Sequence, residues 1–220
     1  MTLKLYYAPG ACSFVPHALL ETAGEPFEAV HVKLHKAENR TPEYLRINPR
    51  GQVPVLVDGR QTITQIVAIV LYLHDRFPGR HFLPGEPMAR ARVLETLMWM
   101  NNTVHPTFTH VFMPGKFVDA PEAQAQVKAF NSALYRELVG ELDAMARSAA
   151  ERGVPWLGGE HFGPLDAYAL TLLRWVGFAG TDPTTFMSLW AHVQRVAALP
   201  AVARAIERER LQLNIYKPAA

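Results

Sequence analysis

Ala8-Pro9-Gly10-Ala11-Cys12-Ser13-Phe14-Val15-Pro16-His17 joins a strand-like run to a helix-like run, and it contains the only cysteine of the 220-residue chain. The strand-like run covers residues 3–7 and the helix-like run residues 16–23. A Pro-Gly turn between them places Cys12 at the start of a helix. Because unpaired backbone N–H groups and the positive end of the helix dipole favour an anion there, we expect the thiol to ionise more easily than a free cysteine. The alternative is a small buried side chain that only fills space.

The composition is that of an ordinary globular protein. Hydrophobic residues make up 49% and charged residues 19% of the chain, whose length suits one or two domains. The net charge of +2 gives no electrostatic reason to expect nucleic acid or a membrane surface as a partner. Acids and bases alternate in residues 204–210, which indicates a solvated helix face. A single cysteine forms no internal disulfide, which fits a reducing compartment. No apolar run approaches the ~20 residues that a membrane span needs. A strand pattern begins near the first residue, which leaves no room for a signal peptide. We therefore expect a cytoplasmic protein without a leader.

Strand and helix patterns alternate in residues 1–78. A period-two strand pattern covers residues 27–34, and a second strand covers residues 51–57. Asp58-Gly59 predicts a hairpin turn, and residues 61–63 the returning strand. From Thr64 or Gln65 the apolar period becomes helical. The sequence therefore predicts a β-α-β unit, then a hairpin, then a helix.

The rest of the chain has helical patterns only. Three prolines and two glycines in residues 78–87 predict a linker, residues 79–87, between a first domain, 1–78, and an all-helical domain, 88–220. His105-Pro106 predicts a break or kink in the first long helix of that domain. Residues 165–178 are apolar on nearly every side, which predicts a buried central helix.

Four motifs in this order resemble the glutathione transferase family, with the nearest likeness to its bacterial beta class. Residues 5–13 are similar to that class's first strand and catalytic turn, and residues 47–56 to the segment that ends in the family's cis-proline. Residues 64–73 look like the glutathione-binding helix, and residues 162–168 match the core of the helical domain. The resemblance covers essentially the whole chain. It implies an α/β thioredoxin-like N-terminal domain, an all-α C-terminal domain, glutathione as co-substrate without a metal, and a homodimer.

The resemblance also implies a set of glutathione contacts. Val53-Pro54, after Gln52, would be a cis peptide that turns the N–H and C=O of Val53 outward, so that a peptide pairs there like an added strand. An ordinary trans proline at a strand entry is the alternative. Gln65 would accept from the ammonium of the γ-glutamyl end. The family usually places Ser or Thr next, but this chain has Ile66, which leaves only the backbone N–H and helix dipole for the carboxylate. One hydrogen bond fewer to a charged group costs about 1.5–3 kcal/mol, or about ten- to a hundredfold in affinity.

Three residues are candidates for the catalytic chemistry. By the resemblance, Cys12 would contact the glutathione sulfur or form a mixed disulfide with it. Ser13 would hydrogen-bond the thiolate or cap the helix. His105 matches the beta-class histidine that faces the cysteine, although an ordinary helix histidine is the alternative. The class often has a lysine after this histidine, where this chain has Pro106.

Further candidates surround this set. Tyr7 resembles the family's strand tyrosine, and Lys36 would contact the glycine carboxylate or simply be solvated. Asp166, three residues after Gly163, is expected to be structural and to bond the preceding loop. An apolar pocket for the second substrate, or ordinary core packing, would use His105, Phe108, Phe112, Met113 and Phe117.

These features favour a glutathione-dependent transferase or thiol transferase. Ile66 and Pro106 keep open a transferase-fold protein that binds glutathione weakly or not at all and serves as a ligand-binding or interaction module. A third hypothesis is a redox sensor that uses Cys12 alone, although the chain has no Cys-x-x-Cys partner for it.

Overall fold

Four strands form one mixed sheet in the computed structural model, which describes residues 2–218. The strands are β1 (Leu3–Tyr7), β2 (Phe27–His31), β3 (Val55–Asp58) and β4 (Gln61–Thr64). Their order is β2-β1-β3-β4, with β1 parallel to β2 and antiparallel to β3, and with β3 antiparallel to β4. The predicted β-α-β unit and hairpin are confirmed.

Three helices accompany the sheet: α1 (Phe14–Ala23), α2 (Pro42–Ile47) and α3 (Ile66–Arg76). Along β1 the side chains of Leu3, Leu5 and Tyr7 are buried in the main core, which α1 and α3 share. The helix α1 is buried almost along its whole length and ends at Gly24, whose φ of 78° is left-handed. The N-terminal part is thus a thioredoxin-like fold, as expected.

The remaining helices are α4 (Pro87–Trp99), α5 (His105–Phe112), α6 (Pro121–Glu151), α7 (Pro164–Trp175), α8 (Met187–Ala197) and α9 (Pro200–Glu209). The predicted central helix is α7, which packs against α1, α4 and α8. Because α1 also packs against α9, one apolar core runs through the sheet part and the helical part. The exact domain limits at residues 78 and 88 stay a proposal. No helix in the described part is long and apolar enough to cross a membrane.

The sequence predicts a break or kink at His105-Pro106, and the α-helical pattern is interrupted just before these residues. A π-helical turn, Met100–Val104, joins the two helices, and the N–H of His105 bonds to the C=O of Met100. Proline offers no N–H and its ring crowds the carbonyl four residues earlier. A locally widened helix relieves both problems, so the helix continues and presents His105 inward.

Two further expectations concern the ends of α7 and α9. Asp166 accepts from the backbone N–H groups of Leu157 and Gly163, each at 2.9 Å, so its expected structural role agrees with the structure. The expectation of a solvated face for residues 204–210 holds for Arg204, Glu207, Arg208 and Arg210, which are exposed, but not for Glu209. Glu209 is buried, and Arg204 and Arg208 pair with the buried Glu21 at 2.9 and 3.1 Å.

Candidate active site

The turn after β1 brings Cys12 against the segment before β3. The Sγ atom of Cys12 lies 3.8 Å from the carbonyl oxygen of Val53, toward which the thiol donates. The Val53-Pro54 peptide is cis. The register of the hairpin pairs Val55 with Thr64, so that Gln65, the residue before α3, lies beside this segment. Three stretches singled out in the sequence therefore meet at one end of the strands, after β1 and β4 and before β3.

The thiol of Cys12 is in an environment that opposes its ionisation. Burial raises the pKa of Cys12 to about 12, and the negative charge of Glu209 adds to this rise. The backbone N–H groups of Cys12 and Ser13 act in the opposite direction, as the position at a helix start predicts. Because burial outweighs these two donors, the pKa of Cys12 shifts upward, opposite to the direction expected from its position at a helix start.

Ser13 has neither of its two expected roles. Its hydroxyl is buried, donates to the C=O of Ala8 and accepts from the N–H of Ala8, each at 3.1 Å. It makes no side-chain cap to α1. The hydroxyl therefore closes the turn on itself, and Ser13 approaches the sulfur through its backbone N–H instead.

His105 lies in the wall formed by the helical part and is held there by Tyr168. Its Nδ1 atom is 2.7 Å from the Tyr168 hydroxyl, and its ring centroid is 4.9 Å from that of Trp175. Burial, with the nearby positive charge of Lys116, lowers the pKa of His105 to about 4. The imidazole is therefore neutral at pH 7 and offers a hydrogen bond rather than a positive charge.

An aromatic cluster extends from the catalytic turn into the helical part. Nε1–H of Trp175 donates to the C=O of Gly10 at 2.8 Å, and the indole stacks on Phe108 with centroids 4.4 Å apart. Phe112 and Phe178 continue the cluster from Phe108, at 5.6 and 6.0 Å. Of the predicted pocket residues, Phe108 is buried, whereas Phe112 and Met113 are 52% and 38% exposed. The exposed rings give a second, apolar substrate a surface to pack on.

The start of α3 remains open to a ligand. Gln65 is exposed and has a φ of 72°, which is strained for a residue with a side chain. The first N–H groups of α3 have no partner within the helix and suit a carboxylate. The side chain of Ile66 is 3% exposed and packs into the main core. Ile66 thus contributes a backbone donor to this site but no hydroxyl.

The other expected glutathione contacts differ in how well they are placed. The C=O of Gln52 accepts from the hydroxyl of Tyr44 and from Asn48 Nδ2, each at 2.8 Å, which fixes the segment before Val53. Lys36 is exposed. Tyr7 is buried beside His17, with ring centroids 5.0 Å apart, so its packing gives it a structural role. Direct contacts of Tyr7, Lys36 and Gln52 with glutathione stay predictions.

Sequence reasoning missed three residues around the turn, namely Tyr168, Trp175 and Glu209. Glu209 had a detectable signal, because it falls on the same stripe of α9 as the buried Val202 and Ala205. A tryptophan or tyrosine in a buried helix usually needs a polar partner, but its identity depends on the tertiary fold. Among residues 2–218, no three His, Cys, Asp or Glu side chains are grouped so as to hold a metal ion.

Comparison with known proteins gives a consistent family. The family model of the glutathione S-transferase N-terminal domain matches residues 1–75. The chain is 32% identical over 213 residues to glutathione S-transferase GstA of Escherichia coli O157:H7, covering 96% of this chain and all of that one. A sphingomonad glutathione S-transferase solved in complex with glutathione is 31% identical with a TM-score of 0.80, over 95% of this chain and 100% of that chain. The bacterial beta class enzyme of Sphingomonas chungbukensis is 29% identical with a TM-score of 0.80, over the same shares.

Proposed function

The chain belongs to the glutathione S-transferase family, and we propose that it transfers glutathione to small electrophilic substrates with Cys12 beside the glutathione sulfur. The observation that carries this proposal is the contact between the Cys12 thiol and the C=O of Val53. The contact places Cys12, which is expected to lie beside the glutathione sulfur, next to Val53, whose backbone is expected to pair with the glutathione backbone. The sphingomonad relative was solved with glutathione bound, which supports the same ligand here.

Glutathione would lie along the edge formed by Val53 and the start of α3. Its cysteinyl backbone would pair with Val53 like an added strand. The γ-glutamyl ammonium would donate to the amide oxygen of Gln65, and the carboxylate would accept from the free N–H groups of α3. Lys36 would be available to the glycine carboxylate. In this orientation the glutathione thiol points towards Cys12.

The protonation state of Cys12 favours one of its two proposed roles. A thiol whose pKa is raised to about 12 is a hydrogen-bond donor at pH 7 and a poor nucleophile. We therefore assign Cys12 the role of donating its S–H to the glutathione thiolate, which then attacks the electrophilic carbon. A carbon–sulfur bond forms, and the leaving group departs with its bonding electron pair. Thiol transfer through a mixed disulfide needs the Cys12 thiolate and is the less favoured role.

The helical wall would hold the second substrate and the leaving group. Phe112 and Phe178 present exposed rings to an apolar substrate. Neutral His105, held by Tyr168, would donate or accept one hydrogen bond without adding charge. Because the wall lacks a cation at residue 106, stabilisation of the thiolate rests on hydrogen bonds rather than on charge pairing.

Calorimetric titration with glutathione tests the proposal, and Ile66 supplies the matched variants. Ile66→Thr and Ile66→Val have nearly the same shape and differ by a hydroxyl against a methyl group. We expect the wild type to bind glutathione weakly, Ile66→Thr to bind about tenfold or more tightly, and Ile66→Val to bind like the wild type. The gain follows from restoring one hydrogen bond to the carboxylate.

The outcomes separate the enzyme from the binding-module alternative. If neither the wild type nor Ile66→Thr binds glutathione in the millimolar range, the proposal is wrong and the ligand-binding or interaction module is favoured. Tight binding by the wild type with no gain in Ile66→Thr would show that the backbone N–H groups alone hold the carboxylate. Turnover with a panel of electrophiles then identifies the substrate class.

The homodimer and the cytoplasmic location expected from the family resemblance remain predictions. Exposed apolar side chains on α3 and α4, namely Leu71, Met88 and Met98, offer a surface for a second copy of the chain.

A further inference from the structure

A fully buried carboxylate lies directly behind the catalytic turn. Glu209 is the last residue of α9, and its side chain has no exposed surface. Its Oε2 accepts from the N–H of Gly10 at 2.8 Å, and its Oε1 lies 2.7 Å from Nδ1 of His17. Both oxygens are therefore bonded to residues that flank Cys12 in the chain.

The peptide groups of Gly10 are held from two helices of the C-terminal part. Glu209 of α9 binds the N–H of Gly10, and Trp175 of α7 binds its C=O at 2.8 Å. Gly10 has a φ of 71°, and a Cβ there would lie 2.7 Å from the guanidinium of Arg174. The helical part thus positions the turn that carries Cys12. Among the described side chains that bond to Gly10, Glu209 is the only acidic one.

No arginine among the described side chains forms an ion pair with Glu209. Arg204 and Arg208 form ion pairs with Glu21 instead. His17 is the direct partner of Glu209, and Arg174 bonds to the C=O groups of Gln212 and Gly10. The titratable or charged groups that surround Glu209 and Cys12 are Tyr7 on β1, His17 and Glu21 on α1, Tyr168 and Arg174 on α7, and Arg208 on α9.

We propose that Glu209 is a positioning residue that fixes the catalytic turn through Gly10 and keeps Cys12 in its thiol form before glutathione binds. The electrostatic part agrees with the contribution of Glu209 to the raised pKa of Cys12. Glu209 would thereby restrict Cys12 to hydrogen-bond donation and slow its covalent capture. This inference deepens the proposed function and rests on the role assigned there to Cys12.

Two substitutions separate the charge of Glu209 from its geometry. Glu209→Gln removes the charge but keeps an oxygen for the N–H of Gly10 and an N–H for His17. Glu209→Asp keeps the charge but withdraws the carboxylate from Gly10. The readout is the rate of alkylation of Cys12 by iodoacetamide at pH 8.5, without glutathione, because this rate follows the thiolate fraction. The matched control is Glu207→Gln, which removes the same charge from an exposed position on α9.

We expect Glu209→Gln to raise the alkylation rate roughly three- to tenfold, since a nearby negative charge is removed in a poorly solvated site. Glu209→Asp should stay within about twofold of the wild type and unfold at a lower urea concentration, and Glu207→Gln should change neither quantity. An unchanged rate in Glu209→Gln, or an equal rise in Glu209→Asp, would overturn the proposal. If Glu209→Gln does not fold, a rate in Glu209→Asp near that of the urea-denatured wild type would also overturn it. Because no glutathione is present, these outcomes are independent of the calorimetric test.

Discussion

The starts of α1 and α3 are the two helix N-termini that face the proposed glutathione site, and they differ in burial. At α1, Cys12 is half-buried, and the peptide groups of Ala8 and Gly10 in the turn before it are bonded within the protein. At α3, Gln65 is exposed and the first N–H groups have no partner within the helix. Both positions are the positive ends of helix dipoles, but the donors at α1 surround a thiol whose pKa is raised, whereas Gln65 and the first N–H groups at α3 are open to a charged ligand.

This difference shows that a helix dipole does not decide the charge state by itself. The backbone N–H groups near Cys12 lower its pKa, but burial raises it by more. Full burial of an ion can shift its pKa by about 3–5 units. Interaction with a helix terminus stabilises an ion by at most about 2 kcal/mol, which corresponds to a pKa shift of about one unit. We therefore expect the α1 start to stay neutral and the α3 start to bind the ionic end of the ligand.

The pH dependence of Cys12 alkylation is the largest expected effect, and it tests the neutral side of this comparison. Below its pKa, a thiol reacts about tenfold faster for each pH unit. Because the pKa of Cys12 is raised to about 12, the rate with iodoacetamide should increase by about a thousandfold from pH 7.5 to 10.5 without levelling off. Cys12 is the only cysteine of the chain, so the label reports one site.

The urea-denatured chain provides the reference for that experiment. Its rate should begin to level off near pH 8.5, where an unperturbed thiol is half ionised, and be nearly constant about one pH unit higher. A plateau of the folded protein below about pH 9 would contradict the assignment of Cys12 as a neutral donor. It would mean that the dipole at the helix start has the larger effect on the pKa of Cys12, and it would favour the thiol transferase function.

His105→Gln tests whether the imidazole of His105, on the helical side of the site, is also uncharged. Burial lowers the pKa of His105 to about 4, whereas in the unfolded chain it is near 6.5. Below pH 6.5 the unfolded chain therefore binds a proton that the folded protein does not. The contribution of His105 to stability is present above pH 6.5 and is lost as the pH falls towards 4.

Urea unfolding at several pH values measures this loss. From pH 6.5 to 4, the free energy of unfolding of the wild type should fall relative to that of His105→Gln, with a slope of at most about 1.4 kcal/mol per pH unit. The variant His35→Gln, at an exposed histidine, should follow the wild type throughout this range. Parallel curves for the wild type and His105→Gln would mean that His105 is solvated in the folded protein.

How far the sequence predicts the site depends on whether the relevant interactions are local. The strand, Pro-Gly turn and helix around Cys12 follow from neighbouring residues, and the hairpin follows from Asp58-Gly59. The protonation state of Cys12 does not, because it depends on burial by α7 and α9, more than 150 residues further along the chain. The local pattern also missed the burial of Glu209, because a charged run looks the same in the sequence whether or not one of its carboxylates turns into the core.

The backbone of Gln65 is the remaining point at which the open helix start can be tested, with the smallest expected effect. Its φ of 72° and ψ of 127° suit glycine, and a side chain there costs of order 1–3 kcal/mol. Gln65→Gly should therefore raise the free energy of unfolding by about 1 kcal/mol after the entropy of the glycine is counted, whereas Gln65→Ala keeps the strain and should not. Both variants lose the amide that accepts from the ammonium, so calorimetry should show weaker glutathione binding in both.

If the glycine variant is more stable but binds glutathione less tightly, the backbone strain at the start of α3 is retained for ligand binding. Equal stability of the glycine and alanine variants would show that this helix start is as relaxed as the buried one at α1.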